Sequence, residues 1–429
     1  MRTERTVKRR DVLRWAGPAT AALAVTPAIL ALPGQQGGNE SPTLEPGPPE
    51  HVGMSSERLE DVFARIARRV EDGLYPGATA LIARHGVIVG HRAFGHKVHG
   101  QTNEPVTLDT MFDVLSMTKV VATAIAALVL VDEGEMALHE PASTWLPEMA
   151  VNGKGDITIH DMLRYASGLP VDNQLLDEPD RAAVWQHMAE TSLAYPPGTQ
   201  ILYSDLAYRL LGRVIEAAAG MPLDAFVRMM VWGPLGMSST MFKPAPALQH
   251  RIAATGPTDR RSYMVRGEVQ DDQDFALGGV VGCDGVFSTA RDMAVFCQML
   301  LNRGRYGNTR ILSRPLARAM VRNQTPEVDE AQAKLSPLND LLVGPKGYGW
   351  EIWSPRFSTG GMRLSPKSYG KVGGAGTFMW VDPSRDLIGV LLTNHGLPFP
   401  FDGRNWNLLL DAVGCTEFYD GVIAAVEHP

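Results

Sequence analysis

The chain has 429 residues, of which 45% are hydrophobic and 20% charged, and its formal net charge at pH 7 is −7. These values are ordinary for a globular protein of one large domain or two medium ones. An acidic chain lacks the positive surface that nucleic-acid binding requires, which excludes that class of partner. Its cysteines, Cys283, Cys297 and Cys415, show neither a disulfide framework nor the spacing of a metal site.

The first 34 residues have the composition of an export signal. Lys8–Arg14 (KRRDVLR) resembles a twin-arginine motif, and an uncharged, alanine-rich run follows from Trp15 to Leu32. Cleavage would release a periplasmic or secreted protein without a membrane attachment, whereas retention would leave a membrane anchor. Residues 35–50, rich in Gly, Pro, Gln and Glu, predict a linker, and residues 51–429 the folded domain.

The domain begins with a helix and a hairpin. Ser55 is a good N-cap for a helix, and the helix has one apolar stripe, formed by Leu59, Val62, Phe63, Ile66 and Val70. Ala78–Ala83 and Val87–Phe94 are apolar runs joined by a short turn, which predicts two antiparallel strands.

A helix buried on every side is predicted next, because Thr123 is the single polar residue between Val120 and Val131. These 12 residues are fewer than the roughly 20 that span a bilayer. Ser116 and Lys119 share one face of the first turn, where the helix dipole favours a nucleophilic oxygen and a desolvated amine can accept its proton. The pattern predicts a serine nucleophile activated by lysine. The alternative is a serine cap beside a surface lysine, because S-x-x-K alone is a weak motif.

Helical patterns dominate residues 141–301, and they include Leu206–Ala219 and Ala290–Leu301. Strand character returns later in the chain, before a possible closing helix. The runs concerned are Tyr348–Trp353, Thr377–Val381, Leu387–Thr393 and, for the helix, Gly403–Val413. This order predicts an α+β fold, in which an antiparallel sheet built from both ends of the chain is flanked by helices and carries an inserted all-helical lobe.

Two later motifs could complete a site around Ser116. Tyr203-Ser204-Asp205 follows a Pro-Pro-Gly turn and precedes a helix, so Tyr203 is expected at a loop–helix junction. Lys371-Val372-Gly373 precedes the strand at Thr377, and the glycines from Gly373 to Gly376 allow a close approach of backbone to ligand.

In this order, the three motifs resemble those of the serine β-lactamase, penicillin-binding protein and esterase superfamily, the class C type in particular. The surrounding segments agree, among them Leu163–Pro170 (LRYASGLP), Pro196–Thr199 (PPGT) and Leu277–Thr289 (LGGVVGCDGVFST). The similarity extends from about Val52 to Asn394. It implies a β-lactamase/transpeptidase-like fold and a serine hydrolase that needs no cofactor.

The resemblance also implies a role for each motif residue. Ser116 would be the acylated nucleophile, and Lys119 and Tyr203 would pass its proton to the leaving group. The backbone N–H groups of Ser116 and Gly374 would form the oxyanion hole. Lys371 would place positive charge beside a substrate carboxylate or a Tyr203 phenolate.

The substrate-binding positions Asp205, Lys371, Val372 and Gly373 include two departures from the family pattern. Asp205 stands where asparagine is usual; an ionised carboxylate only accepts hydrogen bonds and would hold the proton of Lys119, leaving more work to Tyr203. A plain alternative is a first-turn residue that favours the helix dipole. Val372 replaces a threonine or serine and removes a hydroxyl. Both departures disfavour an efficient β-lactamase.

The sequence therefore predicts an exported serine hydrolase that cleaves a carboxylic ester or amide through an acyl-enzyme on Ser116. A low-activity D-Ala-D-Ala carboxypeptidase or class C-like β-lactamase at the cell wall is one alternative, and a catalytically silent penicillin or peptidoglycan sensor is another. The expected partners are small esters, amides or β-lactams, with peptidoglycan as a further candidate. No metal is expected, because His91, His96 and His99 lack matching acidic ligands.

Overall fold

The computed structural model describes residues 41–171, 180–326, 344–355, 358–397 and 413–427. Within these ranges, the centre of the fold is a seven-stranded sheet of order β1-β3-β2-β12-β11-β10-β9. The strands of this sheet are β1 Glu45–Pro46, β2 Gly77–Arg84, β3 Val87–Gly95, β9 Glu351–Ile352, β10 Tyr369–Gly373, β11 Thr377–Asp382 and β12 Leu387–Thr393. Strands β7 (Arg305–Tyr306) and β8 (Thr309–Arg310) form a separate antiparallel pair.

The sheet joins both ends of the chain, because the early hairpin β2–β3 lies beside the late strand β12 in an antiparallel pair. Strands β9 to β12 continue antiparallel, which confirms the predicted fold class. The edge strand β1 is the exception and pairs in parallel with β3. Since Leu44 is fully buried beside this strand, the end of the expected linker over residues 35–50 is part of the fold.

Helices cover both faces of the sheet. The α-helices are Ser56–Glu71, Ile125–Asp132, Ile159–Leu163, Arg181–Glu190, Asp205–Ala219, Leu223–Val227, Asp272–Ala276, Ala290–Leu301, Arg314–Met320 and Cys415–Ala424. The 3₁₀ segments are Pro49–Val52, Leu115–Met117, Ala142–Thr144, Pro147–Met149 and Pro246–Arg251, and the π-helical segments are Lys119–Ala124 and Arg228–Trp232.

One face of the sheet is covered by the first and last of these helices. Ser55 caps Ser56–Glu71 by accepting a hydrogen bond from the Arg58 N–H at 3.3 Å, as predicted. This helix packs against Cys415–Ala424, and Phe63 and Phe418 belong, with Trp380 of β11, to the core between helices and sheet. The predicted closing helix Gly403–Val413 lies outside the described residues except for Val413, and so does the predicted export signal.

The inserted lobe is not entirely helical, which corrects the prediction. Strands β5 (Met241–Phe242) and β6 (Val286–Ser288) form a small sheet with β4 (Phe112–Asp113), which precedes the nucleophile motif. The helix Ala290–Leu301 belongs spatially to the main sheet, where it packs on β12 and β2. The sequence pattern missed the small sheet because two- and three-residue strands carry no periodicity. It missed the position of the helix because packing between distant segments leaves no local pattern.

The central helical run extends from Leu115 to Asp132 and is apolar enough in composition to cross a membrane. Of this window, 83% is buried inside the protein, which is the behaviour of a core helix. Burial is confirmed for Val120–Leu130, where each side chain is at most 1% exposed, whereas Val131, the last residue of the predicted run, is half-buried. The run begins as a 3₁₀ turn and a π-helical segment and becomes α-helical only at Ile125, so it is not one uniform helix.

Candidate active site

The turn before Ser116 is fixed by two of its own side chains, which accept hydrogen bonds from the backbone of two distant segments. Leu115 has a φ of +39°, a strained conformation for a branched residue. Asp113 holds it by accepting hydrogen bonds from the Leu115 N–H (3.0 Å) and the Gln270 N–H (2.8 Å). Burial raises the pKa of Asp113 to about 7, although both N–H donors oppose this shift. On the other side, Thr118 accepts a hydrogen bond from the Val286 N–H at 3.1 Å.

Ser116 and Lys119 are in direct contact, as their spacing predicted. The Lys119 ammonium donates a hydrogen bond to Ser116 Oγ at 2.9 Å and a second one to the Cys283 carbonyl at 3.3 Å. Lys119 is completely buried, whereas Ser116 is partly exposed and so accessible to a substrate.

Two carboxylates hold the charge on Lys119. Asp205 Oδ1 lies 2.6 Å from Lys119 Nζ, and Asp284 Oδ1 lies 3.9 Å away. Burial alone would lower the pKa of Lys119, but the attraction of Asp205 and Asp284 outweighs burial and the pKa is raised well above its ordinary value. The two carboxylates therefore favour the ammonium form of Lys119, which can stabilise negative charge at Ser116. Its predicted role in proton transfer stays a prediction.

Tyr203 lies between two lysines. Its ring centroid is 5.0 Å from Lys119 Nζ and 4.7 Å from Lys371 Nζ, and the ring stacks on Tyr165 with a centroid distance of 5.1 Å. Burial raises the pKa of the Tyr203 phenol well above its ordinary value, while Lys119 opposes the shift. The Lys119 charge favours the phenolate form of Tyr203. Proton exchange between Tyr203 and Ser116 stays a prediction.

Lys371 reaches the same place from strand β10. Its Nζ donates a hydrogen bond to the Tyr165 hydroxyl at 3.3 Å and lies 3.8 Å from Glu351 Oε1. Burial lowers the pKa of Lys371 to about 7, although the Glu351 charge acts in the opposite direction. Lys371 therefore lies beside Tyr203 as expected. Its counter-ion is Glu351 of the protein rather than a substrate carboxylate.

Glycine is required where β10 meets the nucleophile turn. A Cβ atom on Gly373 would lie 2.2 Å from the Val114 carbonyl oxygen and 2.3 Å from Thr377 Oγ1. This close approach brings Gly374 beside Leu115, where a Cβ on Gly374 would be 3.5 Å from Leu115 Cδ1. The predicted oxyanion donors, the N–H groups of Ser116 and Gly374, therefore belong to neighbouring segments. Their role stays a prediction.

Val372 is placed away from the site, which corrects its assignment to substrate binding. Successive side chains of a strand point to opposite faces of the sheet. Lys371 faces Tyr165 and Tyr203, so Val372 faces the other way and packs in the core that contains Phe378 and Leu391. The missing hydroxyl is consequently no direct loss from the cleft.

Several residues around the site were not predicted. Tyr165 and Asp284 lie in two of the segments that carry the family resemblance, but no role was assigned to them. Glu351 and Lys346 lie near Tyr165 because strands β9 and β10 pair, and no local pattern marks them. The only sequence signal for Glu351 is its charge within the otherwise apolar run Tyr348–Trp353.

Asp274, Cys283 and Asp284 form a compact group whose ligand atoms lie within 4.8 Å of one another. Protein cations already contact it: Arg209 donates to Asp274 at 2.5 Å, and Lys119 lies 3.9 Å from Asp284. The Cys283 thiol donates to Asp274 at 2.7 Å, and burial raises the pKa of this thiol well above its ordinary value. The group supports the Lys119 pocket, and both the hydrogen bond to Asp274 and the raised pKa disfavour Cys283 as a nucleophile.

A serine that contacts a buried lysine, with a tyrosine and a second lysine beside them, defines a serine hydrolase of the S-x-x-K type. The sequence profile of the β-lactamase family matches residues 62–413. This chain belongs to that family.

Comparisons with individual proteins agree with this assignment. A protein of Salmonella typhi, provisionally named D-alanyl-D-alanine carboxypeptidase, is 31% identical over 395 residues, which cover 83% of this chain and 87% of that protein.

Two solved structures have the same fold. EstCE1, described as a hydrolase with promiscuous acyltransferase activity, superposes with a TM-score of 0.64 at 22% identity, covering 83% of this chain and 98% of its own. Simvastatin synthase LovD from Aspergillus terreus superposes with a TM-score of 0.69 at 18% identity, covering 87% of this chain and all of its own (100%). At these identities the likeness establishes the fold alone.

Proposed function

We propose that this protein is an exported serine hydrolase that forms an acyl-enzyme on Ser116 and releases the acyl group to water, with esters of small acyl groups as its preferred substrates. One observation carries this proposal: Ser116 Oγ contacts an ammonium that Asp205 holds charged, in a buried site beside Tyr203.

The arrangement supports a complete proton path. Ser116 Oγ attacks the carbonyl carbon while its proton passes to a Tyr203 phenolate. The N–H groups of Ser116 and Gly374 would stabilise the oxyanion, each contributing about 3 kcal/mol. As the tetrahedral intermediate collapses, the alkoxide leaves with the proton from Tyr203. Water then repeats the sequence on the acyl-enzyme, and Lys119 remains an ammonium throughout.

Two features favour esters over peptides. Asp205 offers no N–H to the carbonyl of an amide substrate, because an ionised carboxylate only accepts hydrogen bonds. Lys371 has Glu351 at 3.8 Å, so the terminal carboxylate of a peptide would compete with a built-in anion. A neutral ester meets neither obstacle.

A cell-wall carboxypeptidase is the second candidate, favoured by the provisional name of the Salmonella relative. In this case the terminal carboxylate of a D-Ala-D-Ala peptide would displace Glu351 from Lys371. A low-activity β-lactamase would use the same contacts.

Parallel assays with p-nitrophenyl esters, nitrocefin and a D-Ala-D-Ala peptide would separate these candidates. We expect steady ester turnover that exceeds both other activities and disappears in Ser116→Ala. The control Ser143→Ala removes a hydroxyl that donates to the Gly155 carbonyl, and it should leave turnover unchanged. Peptide trimming faster than ester turnover would favour the carboxypeptidase. Ester turnover that persists in Ser116→Ala would contradict both candidates.

The export part of the proposal rests on the twin-arginine-like segment Lys8–Arg14 and the apolar run after it. Replacement of Arg9 and Arg10 by lysine should retain the protein in the cytoplasm. N-terminal sequencing of the exported protein should show cleavage within or soon after the run Trp15–Leu32. Unchanged export of the double variant would contradict the proposal, and an intact N-terminus would indicate a membrane anchor.

A further inference from the structure

Lys346 is a buried lysine that the proposed reaction does not use. It is 1% exposed, and its Nζ lies 5.8 Å from the centroid of the Tyr165 ring. Its backbone is fixed by Gln324 and Thr325, since the Lys346 carbonyl accepts from the Gln324 N–H (2.6 Å) and its N–H donates to Thr325 Oγ1 (3.1 Å). Across the residues that the structure describes, no carboxylate lies within 4.0 Å of this ammonium.

Glu351 pairs with Lys371 and attracts the charge of Lys346 from beyond ion-pair distance. Both amines lie by the ring of Tyr165, at 5.8 and 5.5 Å from its centroid. The carboxylate of Glu351, which is 3% exposed, lies 3.8 Å from Lys371 and accepts a hydrogen bond from Thr359 at 2.9 Å. Lys346 also pairs with Glu351 through a backbone bridge. A buried ammonium without its own counter-ion is unfavourable, so one carboxylate sustains one positive charge here.

We propose that Lys346 is a positioning residue: its positive charge, beside the same Tyr165 ring as Lys371, keeps Lys371 an uncharged amine that can take the proton of Tyr203 and so prepare Tyr203 to act on Ser116. The inference rests on the proposed function, because it specifies how the general base of that reaction becomes available.

Every proton that moves in this step returns to its donor or to the leaving group. The Lys371 amine takes the phenol proton of Tyr203. Because burial raises the pKa of Tyr203, this transfer is uphill, and the charges of Lys119 and of the newly protonated Lys371 stabilise the phenolate that it leaves between them. The phenolate then takes the hydroxyl proton of Ser116 as the Oγ–carbon bond forms, and returns it to the leaving alkoxide. At the end of the cycle Lys371 gives its proton back to Tyr203. The step needs no oxidant or other co-reactant.

The charged and titratable groups around Lys371 support this assignment. They are Glu351 at strand β9, Lys346 before it, Lys119 of the central helical run, Asp205 of the helix Asp205–Ala219, and the phenols of Tyr165 and Tyr203. Lys119 and Asp205 largely neutralise each other at 2.6 Å. Burial lowers the pKa of Lys346 to about 8 and that of Lys371 to about 7, so Lys371 is the amine that loses its proton first.

The test is the pH dependence of Ser116 labelling by a fluorophosphonate, which reports acylation without turnover. In the wild-type protein the labelling rate should rise with pH through a midpoint near 7. Lys346→Met removes the neighbouring positive charge, so Lys371 should keep its proton to higher pH. We expect the midpoint to rise by about one pH unit, which means about tenfold slower labelling at pH 6 and an unchanged plateau at high pH.

Two further variants make the test specific. Glu351→Gln removes the counter-ion and should move the midpoint in the opposite direction, to lower pH. Lys154→Met is the matched control: this lysine is also buried, but its Nζ donates to the Thr191 carbonyl at 2.7 Å away from the site, so the midpoint should not move.

The outcomes separate the two claims. A midpoint that stays in place in both Lys346→Met and Glu351→Gln, while Ser116 is still labelled, overturns this inference and leaves the proposed function intact. Equal shifts in Lys346→Met and Lys154→Met also overturn it, because they would reflect the loss of any buried lysine. No labelling of Ser116 in the wild-type protein overturns the proposed function and this inference together.

Discussion

Lys119 and Lys371 are equally buried and lie on either side of Tyr203, yet their charges differ. Lys119 has carboxylates at 2.6 and 3.9 Å, and its pKa is raised well above the ordinary value despite burial. Lys371 has one carboxylate at 3.8 Å, and burial lowers its pKa to about 7. The distance and number of the neighbouring carboxylates therefore decide which of these two buried lysines stays charged.

This difference divides the work in the site. Lys119 has a fixed charge and can stabilise negative charge on Ser116 Oγ and Tyr203 at any neutral pH. Lys371 can change its charge near pH 7, so it can exchange a proton with Tyr203. Variants of the two lysines and their neighbours test this division of roles.

The largest effect is expected for Lys119→Met. Loss of the ammonium should lower ester turnover by about 10³-fold or more, because Ser116 loses its contact at 2.9 Å. The variant also leaves Asp205 and Asp284 without their cation, which should lower the free energy of unfolding by up to about 3 kcal/mol. Turnover assays and urea unfolding measure the two effects separately.

The double variant Lys119→Met/Asp205→Asn is the control for this prediction. It removes the carboxylate nearest to Lys119 together with the ammonium, so much of the lost stability should return while turnover stays low. Recovery of activity in the double variant would show that Lys119 is needed only to balance charge, and the contrast between the two lysines would fail.

Tyr203→Phe should have the next largest effect, because it removes the phenol hydroxyl of the residue that lies between Lys119 and Lys371. We expect kcat to fall by about 10²-fold or more with little change in KM. Tyr208→Phe is the matched control: its phenol donates to the Leu163 carbonyl at 2.8 Å, and its loss should lower stability by about 1 kcal/mol and leave kcat nearly unchanged. Equal kcat values for Tyr203→Phe and wild type would exclude Tyr203 as the general base.

The lowered pKa of Lys346 predicts a pH-dependent stability. The folded pKa of about 8 lies below the ordinary 10.5, so between these values the unfolded chain binds a proton that the folded protein does not. This group therefore destabilises the fold fully below pH 8, and the penalty disappears as the pH rises to 10.5. Lys346→Met should be more stable than wild type by on the order of 2 to 3 kcal/mol at pH 7.

Urea unfolding at pH 7 and at pH 10 checks this prediction. The advantage of Lys346→Met over wild type should shrink markedly at pH 10. A constant advantage at both pH values would mean that the gain comes from packing rather than from the buried charge.

The smallest effect on activity is expected for Val372→Thr, which restores the hydroxyl usual in the family. Because Val372 packs in the core on the face opposite Lys371, the new hydroxyl should not reach a substrate. We expect a loss of about 1 to 3 kcal/mol in stability from a buried hydroxyl and no faster reaction with nitrocefin. A clear gain in nitrocefin turnover would show that residue 372 does face the cleft.

The sequence predicted those features that local patterns encode. The buried run Val120–Leu130 and the hairpin β2–β3 follow from apolar periodicity, and both are confirmed. The meeting of Ser116 with Lys119 follows from their spacing at the start of a helix. The effect of Asp205, which holds the proton on Lys119, follows from a single departure from the family motif, an aspartate in place of asparagine.

Other features depend on contacts between distant segments, which no local pattern records. Glu351 reaches Lys371 only because β9 and β10 pair in one particular register, with Glu351 opposite Gly370. Asp284 comes near Lys119 through a loop in the inserted lobe. The sequence also could not predict which face of strand β10 carries Val372. A shift of one residue in the strand register moves every side chain to the opposite face of the sheet.

The most direct test of the central claim is intact-mass spectrometry with peptide mapping after incubation with a fluorophosphonate, a p-nitrophenyl ester and a β-lactam. We predict a single adduct that maps to Ser116, short-lived with the ester and absent from Ser116→Ala. An adduct of equal yield in Ser116→Ala, or one that maps to another residue, would contradict the account.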